Sequence, residues 1–467
     1  VRGAAPSAKV APGFFRRVSA DRAFLASVLA LALPISLQQV LTSVFSLLDV
    51  VMLGQVGDVA VASAALGGKM FGVLSLVLSG ISGGVAIFAA QYWGKQDRDG
   101  IARVLGVGLR FALGAALPVS LLAWIAPHWL ISQLSNDPAL IATAGSFLRV
   151  LAIGFPLAAI TAMFAAAARA TDSVRAPLIA SALGLGVNLV CNYALIYGNF
   201  GLPELGAQGA AIGTAFARAV ECGALLALLY GRRPCSAAAA TLAALLRVPG
   251  GLRRRVSAQV WPLAFNELLW SLGLFFYFAV YTRMGTSQLA AVSMVAPVES
   301  ICIDLFVGFG SACAILLGRE LGAGRKEQAY EYAWRFAVLG PLLALVVGAV
   351  VLLLRDPLLS LFSGVGATSL QSGRDILTII AVALWFKVFN MVSCMGILRS
   401  GGDTRFVLLF DVGAIWLIGI PAAVVAGLVL ELPVAWVYAI VLVEELAKSF
   451  VWSWRIRSRR WLNSLVA

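Results

Sequence analysis

The chain alternates between long apolar stretches and short polar ones. Hydrophobic runs occupy roughly 25–53, 59–90, 101–126, 139–167, 176–198, 207–230, 258–282, 287–317, 330–354, 375–398, 406–428 and 434–454. A helix rising about 1.5 Å per residue needs about 20 apolar residues to cross a bilayer core, and these runs supply that length. The alternating segments of about ten residues that a transmembrane barrel requires are absent. The pattern predicts an all-α polytopic membrane protein with twelve transmembrane helices. A carboxylate, Asp49, interrupts the first run, where a charge costs roughly 2.5–3.5 kcal/mol and is expected to have a task or a partner.

Composition agrees with the periodicity. Of 467 residues, 61% are hydrophobic and 12% charged, with a mean hydropathy of +0.94. The net charge of +13 would suit an anionic partner such as nucleic acid if it were clustered. Instead the basic residues fall in alternate loops. The leading tail carries Arg2, Lys9, Arg16, Arg17 and Arg22, and the connections on the same side add Lys95, Arg98, Arg103, Arg319, Arg325 and Lys326. The opposite side has only Arg283, Arg355 and Arg374. By the positive-inside rule both termini are expected in the cytoplasm. The first apolar run is too long for a signal-peptide core and is expected to remain as a span.

Self-similarity divides the chain. Shifting the sequence by 228 positions brings Pro34 of "LPISLQQVL" onto Pro262 of "WPLAFNELL", and "AAQYWGKQDRDG" onto "LGRELGAGRKEQ". An even number of spans per half makes the repeats parallel, related by an axis along the membrane normal, as in alternating-access transporters. The expected organisation is a tail at 1–23, a first lobe at 24–230, an inter-lobe loop at 231–257, a second lobe at 258–455 and a tail at 456–467. The loop's Ala/Leu stretch, flanked by Arg, suits either a short interfacial helix or a linker.

Candidate chemistry lies in the polar residues of the spans. Asn188 and Asn192 share one helix face in the fifth span, with Asn192 at nearly the depth of Asp49 and Tyr193 beside it. A carboxylate with amide and hydroxyl oxygens suits Na⁺, or a proton if burial favours the neutral acid. The asparagines equally suit helix–helix hydrogen bonding. In the second half stand Glu267, Glu299, Asp304, Asn390 and Asp411, with Lys69 and Lys387 as candidate counter-ions. Lys387 also suits a structural pair with one of those acids. Arg218 and Glu221 are expected to neutralise each other, and Gly209–Gly213 reads as close helix packing. Pro34, Pro156, Pro262, Pro297 and Pro421 are expected to kink their spans. The cysteines (Cys191, Cys222, Cys235, Cys302, Cys313, Cys394) show no paired spacing and read as packing residues, and His128 as an interfacial one. No HExxH, G-x-S-x-G or Walker A motif is present, so neither an enzyme nor an ATP-driven pump is expected.

Five fragments in order, "SLLDVVMLG", "AAQYWGKQD", "NYALIYGNFGLPELGAQGAAIGT", "PLAFNELLWSLG" and "LRSGGDTRFVLLFDVGAIWLIGIP", resemble the multidrug and toxic compound extrusion (MATE) exporters in their bacterial form. The resemblance spans residues 24–455. It implies two six-helix bundles related by a pseudo-two-fold axis, arranged as a V around a cleft, exchanging cationic drugs for H⁺ or Na⁺ without a cofactor. On this resemblance Asp49 matches the family's acid in the first span, Asn188 and Asn192 its polar fifth-span face, and Glu267 its acid in the seventh. The tenth span departs from branches that place an aspartate there, since this chain has Lys387 and Asn390, and Asp411 stands as a substitute. The expected function is a monomeric secondary exporter of amphipathic, often cationic organic compounds. A lipid-linked precursor flippase of related architecture is the alternative, and a non-transporting receptor or membrane enzyme a more distant one.

Overall fold

The computed structural model describes residues 21–231, 236–360 and 366–466. Arg2, Lys9, Arg16 and Arg17 of the leading tail, and Cys235 of the inter-lobe loop, lie outside the described residues. Among those described, every regular element is helical.

The membrane helices are α1 (Arg22–Gly54), α2 (Asp58–Gly94), α3 (Arg98–Ile125), α4 (Pro138–Leu151 continued by Gly154–Ala170), α5 (Arg175–Tyr197) and α6 (Ala207–Tyr230). The second six are α7 (Gly250–Arg283), α8 (Thr286–Gly322), α9 (Lys326–Ser360), α10 (Ala367–Leu398), α11 (Thr404–Val429) and α12 (Val434–Arg457). Ten of these are long and apolar enough to span a bilayer, and the bent pair forming α4 makes an eleventh. α12 completes the set, although Glu444, Glu445 and Lys448 lie in its middle.

The expected single fourth span is in fact two helices meeting at 44°. Pro156 sits just after the break, where its missing N–H removes a ladder bond. Pro421 opens the short α-helical segment Ile420–Val424 of α11, between π-helical stretches at Ile415–Gly419 and Val425–Val429. Pro34, Pro118, Pro262 and Pro297 are carried inside continuous helices. The inter-lobe loop forms a short helix at Leu242–Leu246, capped by the Thr241 hydroxyl, with Leu242 and Leu246 exposed.

Two hydrophobic cores form, and they exchange helices. The inner half of α1 (Phe24, Val28, Leu31, Ile35) belongs to the core of the second six helices. The inner half of α7 (Leu252, Val256, Val260) belongs to the core of the first. Accordingly α1 packs on α8, and α7 on α2.

The close approaches between the halves obey the repeat of 228. A Cβ on Gly80 would collide with Ala264, and one on its counterpart Gly308 would collide with Ala32 and Ser36, the latter being Ala264's own counterpart. A Cβ on Gly94 would meet the Arg319 carbonyl, and one on Gly322 the carbonyl of Gln91, which is the counterpart of Arg319. Glycine is needed at these sites because backbone touches backbone across the pseudo-two-fold axis. The contacts seal the lobes at the end where the basic loops lie.

The chain's last residues reinforce that seal. Trp461 is fully buried in the second core, while Val466 is buried in the first. The Gln91 side chain donates to the Ser400 carbonyl at 2.8 Å and accepts from the Leu465 amide at 2.7 Å. Lys95 Nζ donates to the Val466 carbonyl at 2.8 Å. Arg319 on α8 pairs with Asp172, between α4 and α5, at 2.6 Å.

Candidate functional site

In the first lobe, α1, α5 and α6 bring a small polar group together. Asn188 and Asn192, one turn apart on α5, are both buried. Asn192 Nδ2 donates to Asp49 Oδ1 at 2.7 Å and to Asn188 Oδ1 at 3.3 Å, while Asn188 Nδ2 donates to the Thr214 hydroxyl at 3.2 Å. Asp49 is half-buried and has no ion-pair partner within 4 Å among the described residues.

Asn192 Oδ1, wholly buried, has no hydrogen-bond partner among the described residues. It faces Gly213, where a Cβ would lie 2.5 Å away. An orphaned acceptor of this kind leaves part of its desolvation cost unrecovered unless a donor or cation reaches it.

The other residues near this group divide clearly. Lys69 is exposed and forms no ion pair with Asp49, so the counter-ion expected from sequence is not found there. Tyr193 is half exposed and stacks edge-on against Tyr197 and Phe200 rather than joining the carboxylate. Tyr197 instead donates to the Met52 carbonyl at 2.8 Å, tying α5 to α1. Arg218 and Glu221 pair at 2.8 Å as their spacing suggests, with Ser181 donating to Glu221 at 2.6 Å.

The second lobe contains a larger and drier network. Arg399 reaches Glu267 at 2.9 Å and the Asn266 carbonyl oxygen at 2.7 Å. Asn266 in turn donates to Asp411 at 3.0 Å. Lys448 on α12 lies 3.5 Å from Asp411, 2.7 Å from Glu444 and 2.8 Å from Glu445. Tyr277 donates a short hydrogen bond to Glu444, and Asn390 donates to Glu445 at 2.6 Å. Nearby, Lys387 pairs with Glu299 at 2.5 Å, and the Tyr438 hydroxyl donates to the same carboxylate at 2.7 Å. Asp304 stands apart: it is accessible and accepts from Ser43 of α1 at 2.8 Å.

Sequence reasoning thus named Glu267, Glu299, Asp411, Asn390 and Lys387 but missed Arg399, Lys448, Tyr277 and Tyr438. Arg399 follows the apolar run 375–398 and reads from sequence as a loop cation, yet it is 8% exposed at the end of a π-helical stretch of α10. Lys448 had a visible signal in its spacing of three and four residues from Glu445 and Glu444. No cluster of three or more His, Cys, Asp or Glu side chains open to a metal occurs among the described residues. The five described cysteines are free thiols, four of them buried.

Twelve helices in two pseudo-symmetric halves, each holding buried polar groups within the bilayer's depth, define a polytopic membrane protein of the two-lobe class. The chain belongs to the MatE family, whose model matches residues 34–194 and 262–425, one block in each half. It is 30% identical over 398 residues to the probable multidrug resistance protein NorM of Bradyrhizobium diazoefficiens, covering 85% of each chain. It is 26% identical to the multidrug resistance protein MdtK of Yersinia pestis, covering 86% of this chain and 87% of the relative. A solved structure of a multidrug resistance MATE transporter in an outward-facing conformation superposes with a TM-score of 0.84 at 18% identity, over 93% of this chain and 96% of that one. A MATE structure in a bent conformation gives 0.83 at 18% identity, over 97% and 99%. The shared fold is the V of two six-helix bundles.

Proposed function

We propose that the protein is a secondary exporter that moves amphipathic organic compounds, often cationic, out of the cell in exchange for H⁺ or Na⁺, acting as a monomer without a cofactor in the bacterial inner membrane. The basic face is cytoplasmic, with both termini on that side. The observation that carries the ion-exchange reading is Asp49. It is a half-buried carboxylate inside a span that, among the described residues, is bonded only to an amide, next to a buried acceptor with no partner there. A group so placed exchanges a small cation or proton more readily than one locked to Arg or Lys.

Alternating access follows from the pseudo-symmetry. With the lobes in contact at the basic face, the barrier lies on the cytoplasmic side and the substrate path opens outward. Names of the relatives favour drugs over a lipid-linked precursor as cargo.

The test is flux of a fluorescent organic cation in proteoliposomes under a pure pH gradient or a pure Na⁺ gradient. One gradient is expected to drive wild type, and Asp49→Asn to lose that response. Equal gradient-driven flux in Asp49→Asn would refute the assignment.

A further inference from the structure

We propose that Lys448 is the resident cation of the second lobe, filling the carboxylate cluster so that no exchangeable Na⁺ enters it. Its consequence for coupling rests on the transport reading above: ion exchange belongs to the first lobe, and the second lobe holds its charge permanently.

The repeat identifies the position. Moving 228 residues along carries Asp49 onto Tyr277, at the same depth of the corresponding helix. Where the first lobe presents a carboxylate, the second presents a phenol, and that phenol donates to Glu444 of α12. The negative charge has moved from the repeat's first helix to its last, and there it meets Lys448.

The chemistry of the ammonium fits a permanent occupant. Lys448 offers three N–H donors, and three carboxylates surround it, two at 2.7 and 2.8 Å and Asp411 at 3.5 Å. Its side chain is 5% exposed, and those of Glu444, Asp411 and Glu445 are 4%, 12% and 22% exposed, so water screens the cluster only in part. A desolvated carboxylate cluster would otherwise draw in protons or a metal cation. Unlike a free ion, this cation is covalently tethered and cannot be released on either side of the membrane. The other intramembrane acids of the network are occupied in the same way, Glu267 by Arg399 and Glu299 by Lys387.

The experiment measures Na⁺ binding to the purified full-length protein at alkaline pH, by radioactive sodium and by the shift of Tm with NaCl at constant ionic strength in choline chloride. Lys448→Met is expected to gain saturable Na⁺ binding with a rise in Tm, since ligand binding to the folded state stabilises it. The gain should disappear in Lys448→Met/Asp411→Asn and be absent from Lys448→Arg. A folded Lys448→Met protein that shows no Na⁺ response would overturn the proposal. A second result tests it should that variant fold poorly. Any Na⁺ signal in wild type must vanish with Asp49→Asn and survive Glu445→Gln, and the reverse pattern would overturn the proposal. Because the readout is binding, a protein that never transports would refute the exporter reading and leave this result standing.

Discussion

Gly213 and Asn192 bear on the proposed first-lobe site more than their residue types suggest. The GxxxG pattern was readable as close helix packing, and Gly213 is indeed where α6 approaches α5. Its neighbour, however, is the Asn192 amide that holds Asp49. Gly213→Ala should therefore act on the site rather than on folding alone. Displacement of Asn192 is expected to lower gradient-driven flux several-fold, alongside a modest fall in Tm from overpacking, whereas Ala at the remote Gly114, which has open space around it, should change neither. Comparing flux and Tm for the two variants checks this.

Outside the membrane, Asp21 caps α1 and accepts from Arg335 at 2.6 Å. The hydrogen bond from Arg335, with that from the Phe24 amide, holds its carboxyl below the ordinary value of 3.8. A depressed carboxyl stabilises the folded state above its unfolded pKa, and the benefit is lost as pH falls through the lower folded value. Asp21→Asn should thus lower Tm at pH 7, and the difference from wild type should close below about pH 4, as a melting series would record. Residue types and spacing made Asp49, Asn188 and Asn192 legible. The distant partners were not, because pairings such as Asp21–Arg335 join residues 314 positions apart.

Among the helices, the irregular ones carry part of the second lobe's charged network. α10 ends in a π-helical stretch that delivers Arg399 into the lobe, and α11 is interrupted twice beyond Asp411. π-helical turns commonly mark functional positions because they re-aim side chains at the cost of regular hydrogen bonds. Hydropathy located all twelve spans, yet it is blind to such irregularity and treated Arg399 as loop. The same averaging over a window read the fourth span as one helix, since apolarity continues through its bend.

The Glu267–Arg399 pair offers a test at this scale. Removing one partner of a buried ion pair typically costs about 3–5 kcal/mol, while replacing both with apolar residues is often neutral. Arg399→Met should lower Tm strongly, and Glu267→Met/Arg399→Met should recover most of the loss. Additive losses in the double variant, read from thermal melts, would mean that the two side chains are not coupled.

Over the whole molecule, the repeat is exact where the lobes touch and broken where charge resides. Gly80 with Ala264 and Gly308 with Ser36 keep the offset of 228, as do Gly94 with Arg319 and Gly322 with Gln91. Asp49 and Tyr277 occupy equivalent places with opposite chemistry. The sequence shift exposed the duplication, but the exchange of α1 and α7 between cores was hidden, since hydropathy does not say which apolar face meets which.

The closed basic face implies a defined barrier to opening. The lobes separate there only if Asp172 leaves Arg319 and residues 461–466 leave one core. A chain ending at Arg460 and carrying Asp172→Asn should populate a state with the lobes apart at that face. Spin labels at the exposed positions Arg98 and Lys326 should then report a longer distance component than in the intact chain. An unchanged distribution would show that the glycine contacts alone hold the face shut.

If Asp49 exchanges a small cation as substrate binds, adding an organic cation to the purified protein should release that ion. In weakly buffered solution with a pH indicator, and in parallel with a sodium-selective probe, wild type is predicted to release one of the two ions, with Asp49→Asn releasing neither while Glu445→Gln behaves as wild type. Undiminished release from Asp49→Asn, with loss in Glu445→Gln, would rule out Asp49 as the exchange site and move it to the second lobe.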